Sequence, residues 1–161
     1  MVPDDELART RREDELREAF SRWASGVSIV AVRSEGRVHA LTVSAFIPVS
    51  LDPPLVLVSL GPNASALPYL EPGQQYGISI LTADQQGLAS RFADVFPVGP
   101  SPFTEGEPPL VAGALAAFSC VVEEVRPTGD HHLVLGSVVD TTSGGGDAVL
   151  LYYRRGYHRI E

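Results

Sequence analysis

Lysine is missing from this chain. All 12 basic residues are arginine, so neither a Schiff-base lysine nor a phosphate-loop lysine can operate here. The absence reads as a composition bias of the source genome. Cysteine is almost missing too, since Cys120 stands alone. One thiol makes no internal disulfide and no cysteine-rich zinc centre; its expected place is a small apolar position in the core. No apolar stretch reaches the ~18 residues of a membrane span, and no apolar run follows a basic start as in a secretion signal. The expectation is a soluble, cytoplasmic protein with no membrane partner.

Several motifs are absent as well. No Gly-x-Gly-x-x-Gly turn links a strand to a helix, which argues against a doubly wound dinucleotide site. No Gly-x-Ser-x-Gly elbow offers an activated serine. The four histidines, His39, His131, His132 and His158, lack the spacing of a metal motif. Gly144-Gly145-Gly146-Asp147 sits between two strand patterns and reads as a flexible hairpin loop, since no helix follows to lend its N-terminus to a phosphate. Asn63-Ala64-Ser65 matches a glycosylation sequon that is idle without secretion. The formal net charge is −8, which opposes a sequence-independent grip on nucleic acid. Part of the acidic surplus lies near the start, from Asp4 to Glu6 and Glu13 to Glu15.

What is present reads as one domain. The 161 residues, 44% of them hydrophobic and 20% charged, suffice for a single core. Residues 1–13 alternate in charge and read as a flexible N-terminal arm or an early helix turn, leaving 14–161 as the domain. Leu16, Ala19, Phe20, Trp23 and Ala24 share one helical face, so a helix is expected over 14–25, packed by Phe20 and Trp23 and stopped at Gly26. Strand patterns follow at 27–32, 38–49, 55–60, 76–81, 114–125, 132–140, 148–153 and 157–160. Residues 34–37 form a short hairpin link, and 63–70 leave room for one helical turn. Thr82 and Gln85 have capping-box spacing ahead of a helix with Leu88, Ala89 and Phe92 on its apolar face. Residues 96–109 hold five prolines and two glycines and are expected to be a long surface loop. Short strands with hairpin-like links and few helices predict a mainly β protein, a closed antiparallel barrel.

Thr42-Val43-Ser44-Ala45-Phe46 alternates small and hydroxyl residues along a strand. Such a strand lets a flat ligand approach its backbone, whose amides and carbonyls pair with a heterocycle edge. It is equally an ordinary strand that carries Thr and Ser.

The ordered blocks of this chain resemble the flavin reductase-like, FMN-binding split-barrel family. The resemblance is carried by Trp23 to Val30, by His39 to Phe46 followed by Val49 to Val56, and by Asn63-Ala64-Ser65. Further blocks are Leu88 to Phe92, Gly129-Asp130-His131 and Leu151 to Gly156. Together they cover roughly residues 16–161. The style is that of the short reductase components of two-component monooxygenases. One departure is Ala45, where the family often has a second serine.

The resemblance implies a Greek-key split β-barrel with a few flanking helices. It implies FMN or FAD as flavin and NADH or NADPH as hydride donor, with a homodimer holding the flavin by its interface. Reduced flavin would pass to a separate flavin-dependent monooxygenase. His39, Thr42, Val43, Ser44 and Ala45 would line the flavin, with Ser59, Leu60 and Gly61 as a second segment. Asn63, Ser65 and Ala66 would receive the ribityl and phosphate end, with Arg91 and Phe92 nearby, and a guanidinium suits a phosphate. His131, Tyr153 and Arg155 would lie toward the nicotinamide. No catalytic side chain is implied, because hydride passes between the cofactors. The same fold is compatible with a non-catalytic flavin-binding protein, or with a regulatory module that has lost flavin.

Overall fold

The computed structural model describes residues 4–161; the first three residues of the expected arm lie outside it. Two α-helices and ten strands are present among the described residues. Helix α1 spans Asp4–Phe20 and α2 spans Gln86–Phe92. The strands are β1 Ser25–Gly26, β2 Ser28–Ser34, β3 Arg37–Val43, β4 Phe46–Leu51 and β5 Pro54–Leu60, then β6 Gln75–Ile80, β7 Ala116–Thr128, β8 His131–Ser143, β9 Val149–Tyr153 and β10 Gly156–Ile160. Short 3-10 turns occur at Leu67–Tyr69 and Ala83–Gln85. The protein is thus mainly β with flanking helices.

Seven strands form one sheet in the order β3-β2-β6-β7-β8-β5-β4, and β1, β9 and β10 form a second. Every strand pairing is antiparallel. The edge strands of the larger sheet, β3 and β4, are consecutive in sequence and joined only by Ser44 and Ala45. At that corner the two edges therefore meet, and the Ser59 amide donates to the Ala45 carbonyl at 3.0 Å.

Strand β2 shows why the core is double. Successive side chains of a strand point to opposite faces. Val30 and Val32 join Val58, Tyr76, Ile78 and Val134 in one cluster. Ile29 and Ala31 join Leu81, Ala89, Phe92 and Leu150 in another, beneath α2 and β9. Both faces of β2 are covered, which explains its unbroken apolar run. Cys120 belongs to the first cluster and is fully buried, and burial pushes its thiol up to about 12.

Several sequence expectations need correction. The helix begins at Asp4, ten residues earlier than Asp14, because Arg9–Glu13 and Arg11–Glu15 pairs one turn apart support it. It ends at Phe20, before Trp23, in a turn where the Trp23 amide donates to the Phe20 carbonyl. Phe20 is 71% and Trp23 80% exposed, so neither packs the helix onto the sheets. The extended stretch expected over 38–49 is two strands with a break at Ser44–Ala45. The loop 96–109 lies partly inward, since Pro108 and Pro109 are buried. Gly77 leaves the space, because a Cβ there would collide with the Pro109 carbonyl oxygen. Just beyond, the Val111 amide donates to the buried Ser79 hydroxyl at 2.9 Å.

A second glycine carries a packing demand. The Tyr76 ring lies over Gly136, where a Cβ would collide with its hydroxyl. That hydroxyl is buried without a hydrogen-bond partner, and burial, reinforced by neighbouring Cys120, raises its pKa. Gly136→Ala is expected to destabilise the fold by about 1–3 kcal/mol through overpacking. Tyr76→Phe should cost little, since it removes an unsatisfied polar group, and should recover part of the loss in the double variant. Denaturant melts of the four proteins check this; equal stability of parent and Gly136→Ala would contradict it.

Candidate functional site

The break between β3 and β4 opens onto a groove of about 1000 Å³. Its floor is the backbone from Ser44 to Pro48, and one wall is the end of α1 with Phe20 and Trp23. Tyr152 and Arg155 of the β9–β10 hairpin form the other wall. Among the described residues, the Ser44 and Ala45 amides donate to no backbone carbonyl. Both residues are exposed and line the groove. The ionised side chains on the lining are two guanidiniums, Arg17 and Arg155. Their carboxylate partners, Glu13, Asp14 and Glu18, lie on α1 away from the lining.

The hairpin turn aims Arg155 at the groove. Arg154 and Arg155 both take positive φ, 49° and 62°, as a tight two-residue turn requires. The turn also holds α1: the Arg154 amide donates to the Ser21 carbonyl at 2.7 Å, and Arg155 lies 3.8 Å from Glu18.

A side pocket of about 230 Å³ adjoins the groove and shares Ser44 and Tyr152 with it. Val27, Thr42, Val43, Ala93 and Tyr157 complete its walls. Tyr152 and Tyr157 are register partners across β9 and β10, with ring centroids 5.5 Å apart. The Tyr157 hydroxyl titrates above its usual range, chiefly through burial and then through Tyr152.

The residues singled out from sequence fall into four places. Thr42, Val43, Ser44, Ala45 and Arg155 gather at the groove and its side pocket, with Ser59 bonded to Ala45 and Leu60 buried in the core behind. His39 stacks on Tyr69 at 3.9 Å. Near it the Ser65 hydroxyl donates to the Ala40 carbonyl at 3.0 Å. Ala66 is fully buried, Gly61 accepts from the Ala64 amide, and Asn63 is exposed in that turn. Arg91 and Phe92 sit on α2, with the Arg91 guanidinium donating to the Pro100 carbonyl at 2.8 Å. His131 stands at the exposed tip of the β7–β8 hairpin, 2.8 Å from Asp130. That hydrogen bond holds the Asp130 carboxyl below its usual range.

The tyrosine on the groove is Tyr152. Tyr153 points the other way along β9, its ring edge on to His158. Sequence reasoning missed Tyr152, although its place in a short apolar strand was visible. It also assigned Phe20 and Trp23 to a core where the structure has a groove wall. Among the described residues no cluster of three or more His, Cys, Asp or Glu side chains is placed to hold a metal, and no helix is long and apolar enough to cross a membrane.

Comparison with known proteins gives this geometry a family. The flavin reductase like domain matches residues 20–161, and the chain belongs to that family. It is 34% identical to the reductase component of 4-hydroxyphenylacetate 3-monooxygenase from Thermus thermophilus, over 92% of this chain and 97% of that protein. It is 39% identical to an NADH-dependent flavin reductase from a Rhodococcus species, over 85% and 81%. Among solved structures, the Streptomyces globisporus NADH:FAD oxidoreductase in complex with NAD and FAD fragments superposes with a TM-score of 0.83. That match has 30% identity and covers 94% of both chains.

Thr42 serves the scaffold beneath the groove. Its hydroxyl donates to the Ala89 carbonyl at 2.7 Å, tying β3 to α2 across 47 residues of chain. Thr42→Val keeps the shape and removes that donor. The expected loss is about 0.5–1.5 kcal/mol, read as a lower denaturant midpoint with an unchanged slope; an unchanged midpoint would show the bond to be idle.

Proposed function

We propose that this chain reduces a flavin with a nicotinamide nucleotide, as an NAD(P)H:flavin oxidoreductase, and supplies the reduced flavin to a separate monooxygenase. The observation that carries the reading is the family match over residues 20–161, which includes the Ser44–Ala45 link on the groove lining. The groove suits a flavin: unpaired peptide amides meet a heterocycle edge, aromatic side chains flank it, and two guanidiniums face an otherwise acidic protein. The reading assigns Ser44, Ala45 and Ser59 to the ring, with FMN the first choice of flavin and FAD the second. The turn with Asn63 and Ser65 is assigned to the ribityl and phosphate end, and His131 to the nicotinamide side. When bound, the nicotinamide supplies a hydride and the flavin accepts it.

The chain's own work is positional. Its backbone holds one ring plane at a fixed edge, and holding two reactants in register removes much of the entropic barrier. Amides at Ser44 and Ala45 stabilise negative charge that develops on a ring edge beside them. Among the described residues, no His, Asp or Glu lines the groove. The reading includes closure of the larger sheet into a split barrel at the Ser44–Ala45 corner.

It also includes a homodimer in the cytoplasm. Phe20, Trp23, Ile47, Val49 and Leu51 leave large apolar side chains in water around one side of the groove, and such a patch calls for cover. A second copy would cover it and bury the ligand more deeply. Sedimentation at micromolar concentration is expected to give a dimer, and a Phe20→Asp, Ile47→Asp variant a folded monomer. A monomeric parent that still binds flavin would rule out the dimer.

Activity is tested directly. Purified protein with NADH or NADPH and added FMN, FAD or riboflavin is expected to bleach the flavin under anaerobic conditions. In air it should release peroxide when no oxygenase is present. Flavin binding without nucleotide oxidation would favour the non-catalytic reading, and no flavin binding would remove both.

A further inference from the structure

Helix α2 ends at Phe92, and Ala93 stands on the wall of the side pocket. The chain next touches the body firmly at Pro102 and Phe103. There the Ala112 amide donates to the Pro102 carbonyl, Phe103 bridges to Val111, and the Phe103 ring packs edge-on against Phe92 at 5.4 Å. Between these anchors runs a segment with Val95, Phe96 and Val98 at 77%, 82% and 85% exposure. Among the described residues, one hydrogen bond ties residues 95–101 to anything outside 94–103. It is the bond from Arg91 Nη2 to the Pro100 carbonyl, at 2.8 Å.

Arg91 is built for that bond. Its guanidinium lies 4.7 Å over the Phe92 ring, which fixes its plane. Gly99 passes so close that a Cβ would stand 2.8 Å from Arg91 Nη1, and its φ of +140° is one that side-chain-bearing residues rarely adopt. Arg91 Nε is buried without an acceptor, while the residue as a whole is half-buried. A guanidinium so placed is occupied before any ligand arrives.

We propose that Arg91 is a positioning residue, a latch that holds loop 94–101 next to the side pocket whose wall Ala93 helps to form, and that this apolar loop sets how tightly ring ligands are retained in the adjoining groove. The inference rests on the reading of the groove as a flavin site. It departs from a phosphate-reading arginine in one measurable respect. A latch acts on the loop and so on every ligand that carries the ring, with or without a phosphate.

Two variants break the latch from opposite sides. Arg91→Ala removes the donor. Gly99→Ala leaves the guanidinium intact and displaces the loop from it. Hydrogen–deuterium exchange of the full chain is expected to show lost protection in peptides covering 94–101 in both variants, with β2 and β6 unchanged. A general fold defect would instead loosen all three segments. FMN and riboflavin should both bind more weakly, by a similar factor of roughly 3 to 10, as for the net loss of one ordinary hydrogen bond. Arg91→Lys, which can still donate to the Pro100 carbonyl, should fall between parent and Arg91→Ala.

The proposal is overturned if Arg91→Ala weakens FMN alone while Gly99→Ala weakens neither ligand, because the guanidinium then reads the phosphate. It is also overturned if 94–101 exchanges alike in parent and variants, or if the loop loosens and both affinities stay put. A parent that binds neither flavin would remove the flavin reading of the groove. Exchange in 94–101 would then still decide whether Arg91 is a latch.

Discussion

Ser44 and Ala45 join the first and last strands of a seven-stranded sheet, and most of the structure follows from that two-residue link. A sheet whose edges are consecutive in sequence has to bring them together at one corner. The Ala45 carbonyl takes the Ser59 amide there and fixes the corner. The Ser44 and Ala45 amides are left without a backbone acceptor, because no further strand pairs with them. The place where the sheet runs out of strand partners is thus the place where the groove opens. The same corner presents β4 with a free edge and an apolar outer row, so the groove and the sticky surface are neighbours by topology.

The second sheet converts this corner into a walled site. Strand β9 pairs with the two residues of β1 and with β10, and its hairpin turn grips the end of α1. Without that grip α1 has little to rest on: its side chains are exposed along nearly its whole length, and a helix of such polarity gains little from packing. Its internal ion pairs are exposed, and pairs of that kind contribute only a few tenths of a kcal/mol each. The groove wall made by Phe20 and Trp23 thus depends on a turn more than 130 residues away in sequence.

Legibility from sequence followed burial. Strand β2, covered on both faces, announced itself as an unbroken apolar run, and the capping box was correctly placed, with the Thr82 amide donating to Gln85 Oε1 at 3.1 Å. The break at Ser44–Ala45 left no mark, since small polar residues fit a strand as well as a kink. Phe20 and Trp23 misled because helical spacing says which residues share a face but not what the face meets. Of the residues that the ordered motifs singled out, Ser44, Ala45 and Arg155 line the groove, and Thr42 and Val43 line its side pocket. The motifs did not reveal that Tyr152 faces the groove while Tyr153 faces away, which depends on the register of β9. Nor did they reveal that the Thr42 hydroxyl and Arg91 guanidinium already have protein partners, because side-chain commitments of that kind are tertiary.

Trp23 has an optical consequence. It is the only tryptophan in the chain, and it stands on the groove wall with its ring largely in water. Indole emission depends on solvent contact and is damped by an absorbing ring close by. The protein therefore carries one fluorophore, at the position where occupancy of the groove and coverage of its rim both change what that fluorophore sees. Groove filling and subunit contact are distinguishable in its signal, since the first scales with ligand and the second with protein concentration.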